Sequence, residues 1–249
     1  MPSKRSMRQP GIYISLAVIT LVLIGADLLY FNSLGEPRRE IQTQQAAQET
    51  PQTTTSETQP AAECNYNSEV APVEDYRQFI TFSDPMKGNA ESSVTVIEFF
   101  DPNCGHCRIF HPSMKKIMEA NGEKAQFYIR PFVLNPRSQS LTQVEALYAA
   151  AEEGKYFEML DAQFAQAQAG GLSLQQLKTI AKEIGMNGDR MEQQVVTGRY
   201  REQILKLRQQ IVDAGIHSVP TVMINGRVIA SSSRTPECIA QFIDEAAKS

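Results

Sequence analysis

Apolar and polar positions follow several rhythms along this chain, and each rhythm predicts an element. Residues 11–31 form an apolar run in which Asp27 is the lone charge. A helix over that run reaches about 30 Å, the thickness of a bilayer core. From residue 32 to 71 apolar side chains thin out and Gln, Thr, Ala and Pro take over. Such a stretch buries too little surface to offset the entropy of ordering, so it reads as a flexible spacer. As a random coil it would hold a domain on the order of 35 Å from the membrane.

Beyond the spacer the pattern becomes that of a packed domain. A short strand is expected around Phe79 to Phe82. Val94 to Phe100 is apolar on both faces except for Glu98, which suits a central strand covered on each side. A helix is expected from Cys104 to Ala120, with Phe110, Met114, Ile117 and Met118 on one face and Asn121-Gly122 ending it. Ala125 to Phe132 reads as a second central strand, which completes a βαβ unit with parallel strands.

A helical block follows at about residues 138–214. Its stripes are Leu141, Val144, Leu147, Tyr148 and Ala151, then Tyr156, Phe157, Leu160 and Phe164. Ser173 and Gln176 make a capping box ahead of Leu174, Leu177, Ile180, Ala181 and Ile184. Tyr200, Ile204, Leu207 and Ile211 stripe a last long helix, with Gly215 after it. Pro220 then opens a strand at Thr221 to Ile224, Asn225-Gly226 is a hairpin turn, and Arg227 to Ala230 returns. Thr235 caps a final helix with Pro236 in its first turn and Ile239, Phe242, Ile243 and Ala246 facing the core. The order is βαβ, a helical insertion, then ββα, which makes the fold class α/β.

Composition narrows the organisation. The chain has 249 residues, 42% of them hydrophobic, enough for one well-cored domain plus appendages. Its formal net charge of -4 gives no general attraction to nucleic acid. Lys4, Arg5 and Arg8 precede the apolar run and favour a cytoplasmic tail at residues 1–10, although Arg38 and Arg39 follow it. The expected layout is that tail, a transmembrane anchor at 11–31, the spacer at 32–71 and an exported domain at 72–249. A cleaved signal peptide is the rival reading, but the small pair Gly25-Ala26 comes with Ile24 badly placed for cleavage.

Four cysteines, Cys64, Cys104, Cys107 and Cys238, are too few for a disulfide scaffold. Cys104-Gly105-His106-Cys107 carries the chemistry. It stands between a strand and a helix, so the first sulfur meets unpaired N–H groups and the positive end of the helix. Cys104 should attack and Cys107 should resolve. A charged His106 between them would favour the thiolate further and make the pair a better oxidant. A zinc site needs two more ligands. Cys64 and Cys238 are isolated and the histidines are only His106, His111 and His217, so no metal is expected. Glu98, six positions before Cys104, should be a buried, largely neutral acid that takes and returns the Cys107 proton. His111 reads as surface or packing, and His217 as either a groove or a plain loop residue. Glu152, Glu153 and the basic positions from Arg199 to Arg208 read as solvated helix faces. Cys64 and Cys238 could pair with each other, stay as thiols, or bridge two chains.

The segment from Glu98 to Cys107 resembles the active-site strand and helix start of the DsbA family of thioredoxin-like proteins. Ser218-Val219-Pro220-Thr221-Val222-Met223-Ile224-Asn225-Gly226 is similar to that family's second signature, and the resemblance runs from about residue 76 to 248. It implies a thioredoxin fold with an inserted helical subdomain and a cis peptide bond before Pro220. It also implies that Val219 and Pro220 shape a groove where substrate backbone adds along a strand edge. Valine before the proline is similar to the oxidase branch, whereas CGHC matches protein disulfide isomerase rather than CPHC. Oxidase therefore stands beside isomerase or reductase. An anchored chaperone-like binding module with a non-catalytic CxxC is the reading from another class. The implied setting is the bacterial envelope, with the domain on the periplasmic side. The implied partners are unfolded or misoxidised exported proteins and a membrane redox partner; the isomerase reading adds a homodimer. No organic cofactor is needed beyond a Cys104–Cys107 disulfide.

Overall fold

The computed structural model describes residues 63–81 and 83–248. The stretch expected to anchor the chain, 11–31, and most of the expected spacer lie outside these residues. Among those described, no helix is long and apolar enough to cross a membrane.

Five strands form one mixed sheet in the order β1-β3-β2-β4-β5: β1 (Met86–Gly88), β2 (Thr95–Phe100), β3 (Gln126–Pro131), β4 (Thr221–Ile224) and β5 (Arg227–Val228). β2 and β3 are parallel, and the other neighbours are antiparallel. Helix α1 (Gly105–Asn121) makes the crossover between β2 and β3. The insertion contains α2 (Gln139–Glu152), α3 (Tyr156–Ala165), α4 (Leu174–Glu183), α5 (Gly188–Val196) and α6 (Arg201–Asp213), and α7 (Pro236–Ala246) closes the domain. The βαβ, insertion, ββα order is thus the observed one.

Successive side chains of a strand point to opposite faces, and β2 divides accordingly. Val96 and Phe100 join Cys107, Met114 and Ile117 of α1, Ile239 and Phe242 of α7, and apolar residues of the insertion. Ile97 and Phe99 join Met223 of β4, Leu207 and Ile211 of α6, and Phe79. Burying each large side chain stabilises by about 1.5–3 kcal/mol. All six residues of β2 are buried, Glu98 among them. By strand alternation Glu98 faces the layer of α1, where an apolar residue would otherwise sit.

Three sequence expectations change. No strand occupies the described part of Phe79 to Phe82: Tyr76–Phe79 is a 3₁₀ turn, and the edge strand is β1. Phe79 is a plug, packed edge-to-face on Phe99 at 5.3 Å, and an apolar plug and a short strand look alike in sequence. Arg130 secures the same corner, with its Nη1 2.5 Å from Asp84 Oδ1 and its Nε donating to the Phe79 carbonyl at 2.9 Å. Residues 63–71, placed in the spacer, lie on the domain. Tyr66 pairs with Ile229, the Asn67 N–H donates to the Val228 carbonyl, and Cys64 is bonded to Cys238. Their few apolar side chains hid a strand-edge contact made through backbone. Helix α5 is an addition, capped by Asn187 and held by buried Met191 and Val195.

Within the insertion the capping box at Ser173 and Gln176 forms as expected. Glu152, Arg199, Arg201 and Lys206 are exposed, as expected of solvated helix faces, and three ion pairs link these faces across helices. Arg201 reaches Glu145, which is fully buried, and Arg190 and Arg199 converge on Glu152. The hairpin turn also forms, with Asn225 at φ 43° and Gly226 at φ 83°. A Cβ on Gly226 would lie 2.2 Å from the Val73 carbonyl oxygen, so only glycine lets the arm pass this close.

Candidate active site

Cys104 is the N-cap of α1, in extended conformation at φ -78° and ψ 116°. Its sulfur accepts the Cys107 backbone N–H at 3.3 Å, so one of the unpaired donors of the helix start ends on Sγ. The first turn of α1 holds no acid, which leaves the positive helix end facing that sulfur. The Cys104 thiol also donates to the Val219 carbonyl at 3.7 Å. Cys104 is half-buried, Cys107 is wholly buried, and both are free thiols. Space of about 270 Å³ opens beside Cys104, lined by Pro102, Asn103, Gly105, Arg108 and the loop at residues 167–169.

Behind the pair sits Glu98, 2% exposed, with no hydrogen-bond partner for its Oε2 among the described residues. Burial pushes its carboxyl up to about 8, and the Arg234 cation partly opposes that shift. Burial likewise pushes the Cys107 thiol far up, helped by its bond to Cys104 and by the field of Glu98. Cys107 is thus disfavoured as a lone thiolate, and Glu98 is an acid able to exchange a proton near neutral pH.

The structure brings together the two signatures noted in the sequence. β2 and β4 pair with Glu98 opposite Val222, which carries the Val219-Pro220 bond, in cis, up to Cys104. Val219 is half-buried and Pro220 buried. His106 lies on the exposed side of the first turn. His111 is a packing residue: its Nε2 is 2.6 Å from Asp161 Oδ1 and its ring lies 4.8 Å from that of Phe164. His217 is an exposed loop residue beside a cavity of about 350 Å³. Cys64 and Cys238, expected either to pair or to stay apart, are bonded to each other. Among the described residues no group of three or more His, Cys, Asp or Glu is placed to hold a metal ion.

Two contributors escaped the sequence reading. Asp101 fixes the turn into the helix: its Oδ1 accepts from the Asn103 N–H at 2.8 Å and the Ser140 hydroxyl at 2.6 Å, and its Oδ2 from the Leu134 N–H at 2.9 Å. An aspartate opening a turn was the available signal. Arg234 had none, because only the chain's return after β5 brings it to the site.

Several solved structures share this fold. BdbD from Bacillus subtilis (oxidised) superposes with a TM-score of 0.63 at 18% identity, over 73% of this chain and 100% of that one. The thiol-disulfide exchange protein alpha-DsbA2 from Wolbachia pipientis gives 0.58 at 22% identity, over 68% and 90%. A thioredoxin-like oxidoreductase from Silicibacter pomeroyi gives 0.60 at 22% identity, over 69% and 96%. Among curated proteins, a putative protein-disulfide oxidoreductase of Rickettsia felis is 32% identical over 83 residues, 30% of this chain and 27% of that protein. A Na(+)/H(+) antiporter NhaA of Herminiimonas arsenicoxydans is 24% identical over 149 residues, 60% of this chain and 23% of that protein. The chain therefore spans about a quarter of the length of the curated relatives it matches. A family model described as thioredoxin matches residues 81–245, from the turn before β1 almost to the end of α7. With more than half of its length inside that match, and with the CxxC and proline loop brought together on one sheet, the chain belongs to the thioredoxin family.

Proposed function

We propose that this chain is a thiol–disulfide oxidoreductase of the bacterial envelope, acting on exported proteins through Cys104 and Cys107. One observation carries the reading: the Cys104 sulfur caps α1 and touches the Val219 carbonyl, while buried Cys107 lies in the field of an acidic Glu98. A substrate thiolate attacks Cys104 Sγ of the oxidised pair, the Cys104–Cys107 bond breaks, and Cys107 leaves and takes the Glu98 proton. A second substrate thiolate then attacks its neighbour's sulfur in the mixed disulfide and releases Cys104 as thiolate. Two electrons pass from substrate to the pair, and a membrane redox partner removes them. Val219 and Pro220 line the groove for unfolded or misoxidised substrate, and His106 supports the thiolate from the exposed side. No metal or organic cofactor takes part. Residues 11–31 anchor the chain, with the domain on the periplasmic side.

The test uses the full chain with Cys107→Ser and a disulfide-containing peptide. A mixed disulfide at Cys104 should accumulate and be read by non-reducing mass spectrometry. No adduct in that variant would sink the reading. The redox state in cells decides direction: an oxidised pair marks an oxidase, while a reduced pair in a homodimer marks an isomerase.

A further inference from the structure

Arg234 lies between β5 and α7, outside both signature motifs, yet its half-buried side chain ends at the exchange site. Its Nη1 donates to the Pro220 carbonyl and its Nε to the Ser231 carbonyl at 3.4 Å. The neighbouring carbonyl, that of Val219, is the one that Cys104 Sγ touches. One guanidinium therefore grips the backbone one peptide away from the reactive sulfur. Glu98 stands opposite Val222, two residues beyond that Pro220 carbonyl, and the same charge acts on Glu98 and on both cysteines. Glu98 Oε2 has no hydrogen-bond partner among the described residues, so through-space charge matters to it more than usual. Among the described residues Cys107 of α1, Arg234, and Tyr156 of α3, whose hydroxyl donates to the Ile129 carbonyl at 2.6 Å, interact electrostatically with that carboxyl.

We propose that Arg234 is a positioning residue with two separable tasks: its fork fixes the Pro220 carbonyl and so the substrate-facing loop, and its charge is set against the buried Glu98 carboxyl. The loop task rests on the exchange reading above; the charge task does not. A fork and a point charge are distinguished by lysine, which keeps the charge but cannot reproduce a planar two-way grip. A cation beside a carboxyl favours its ionised form, so removing the cation must make Glu98 the weaker acid.

The experiment compares Arg234→Gln and Arg234→Lys in the full chain, with folding checked by circular dichroism. The Glu98 carboxyl is titrated by 13C NMR, a readout independent of activity, and KM and kcat are measured with a cysteine peptide. R234Q should weaken the Glu98 acid about tenfold, whereas R234K should stay within about threefold of wild type. R234K should nevertheless raise KM about fivefold with kcat little changed. An unmoved Glu98 titration in R234Q overturns the charge task, and wild-type KM in R234K overturns the loop task. If wild type performs no exchange at all, the functional reading fails, and the carboxyl titration still decides the charge task.

Discussion

Helix α1 opens with Cys104-Gly105-His106-Cys107 and α7 opens with Thr235-Pro236-Glu237-Cys238, so each has a cysteine three residues after its cap. In α1 the cap is itself a sulfur, which accepts the Cys107 N–H at 3.3 Å. In α7 the Thr235 hydroxyl accepts the Cys238 N–H at 3.2 Å, and Glu237 adds a carboxylate to the first turn. The positive end of α7 is thus already met by oxygen and charge, and Cys238, 1% exposed, is bonded to Cys64 and holds the arm against the domain. The positive end of α1 meets a half-buried sulfur, with no acid in its first turn. Helix position alone does not make a cysteine reactive; the atom that satisfies the first N–H groups, and what else shares that end, decide it.

The contrast can be broken in order of effect. Cys104→Ser should lower exchange in a peptide-oxidation assay by at least about 1,000-fold, whereas Cys64→Ser with Cys238→Ser should leave the rate within about twofold. Comparable losses in both would erase the difference between the pairs. The double variant should instead lose about 5 kcal/mol of stability, read by denaturant unfolding, because the bond closes a loop of sequence separation 174.

Glu98→Gln sharpens the α1 side. The folded carboxyl is raised from 4.5 to about 8, so the folded state holds its proton more tightly than the unfolded chain. The favourable term is therefore complete below about pH 4.5 and is lost as pH rises toward about 8. The amide does not ionise, so the variant should be more stable than wild type by about 4 kcal/mol at pH 8 and gain nothing at pH 4. A constant difference across that range would show that Glu98 does not titrate. The smallest effect belongs to α7: Thr235→Ala should cost about 1 kcal/mol in a melting experiment, with exchange unchanged.

Much of this arrangement was legible because it is local. The apolar run Val94 to Phe100 with one acid, the CxxC at the start of a helix, Pro220 before a strand and Asn225-Gly226 as a turn all carry their meaning within a few residues. Phe79 misled because burial can be satisfied by a plug as well as by a strand. Residues 63–71 misled because they are held by backbone bonds to β5 and by one disulfide, neither of which leaves an apolar pattern. Glu145 beneath Arg201 left no signal, because an ion pair across helices has no sequence period.

The amino-acid order by itself determined most of the elements, their succession and the CxxC at the start of a helix, since hydrophobic period, caps and turn residues act between near neighbours. Tertiary structure alone decided that Cys64 meets Cys238, that Glu98 has one oxygen without a hydrogen-bond partner among the described residues, and that Arg234 grips the Pro220 carbonyl. Those contacts join residues far apart in the chain, and a buried charge or an open thiol takes its chemistry from whatever the completed fold sets against it.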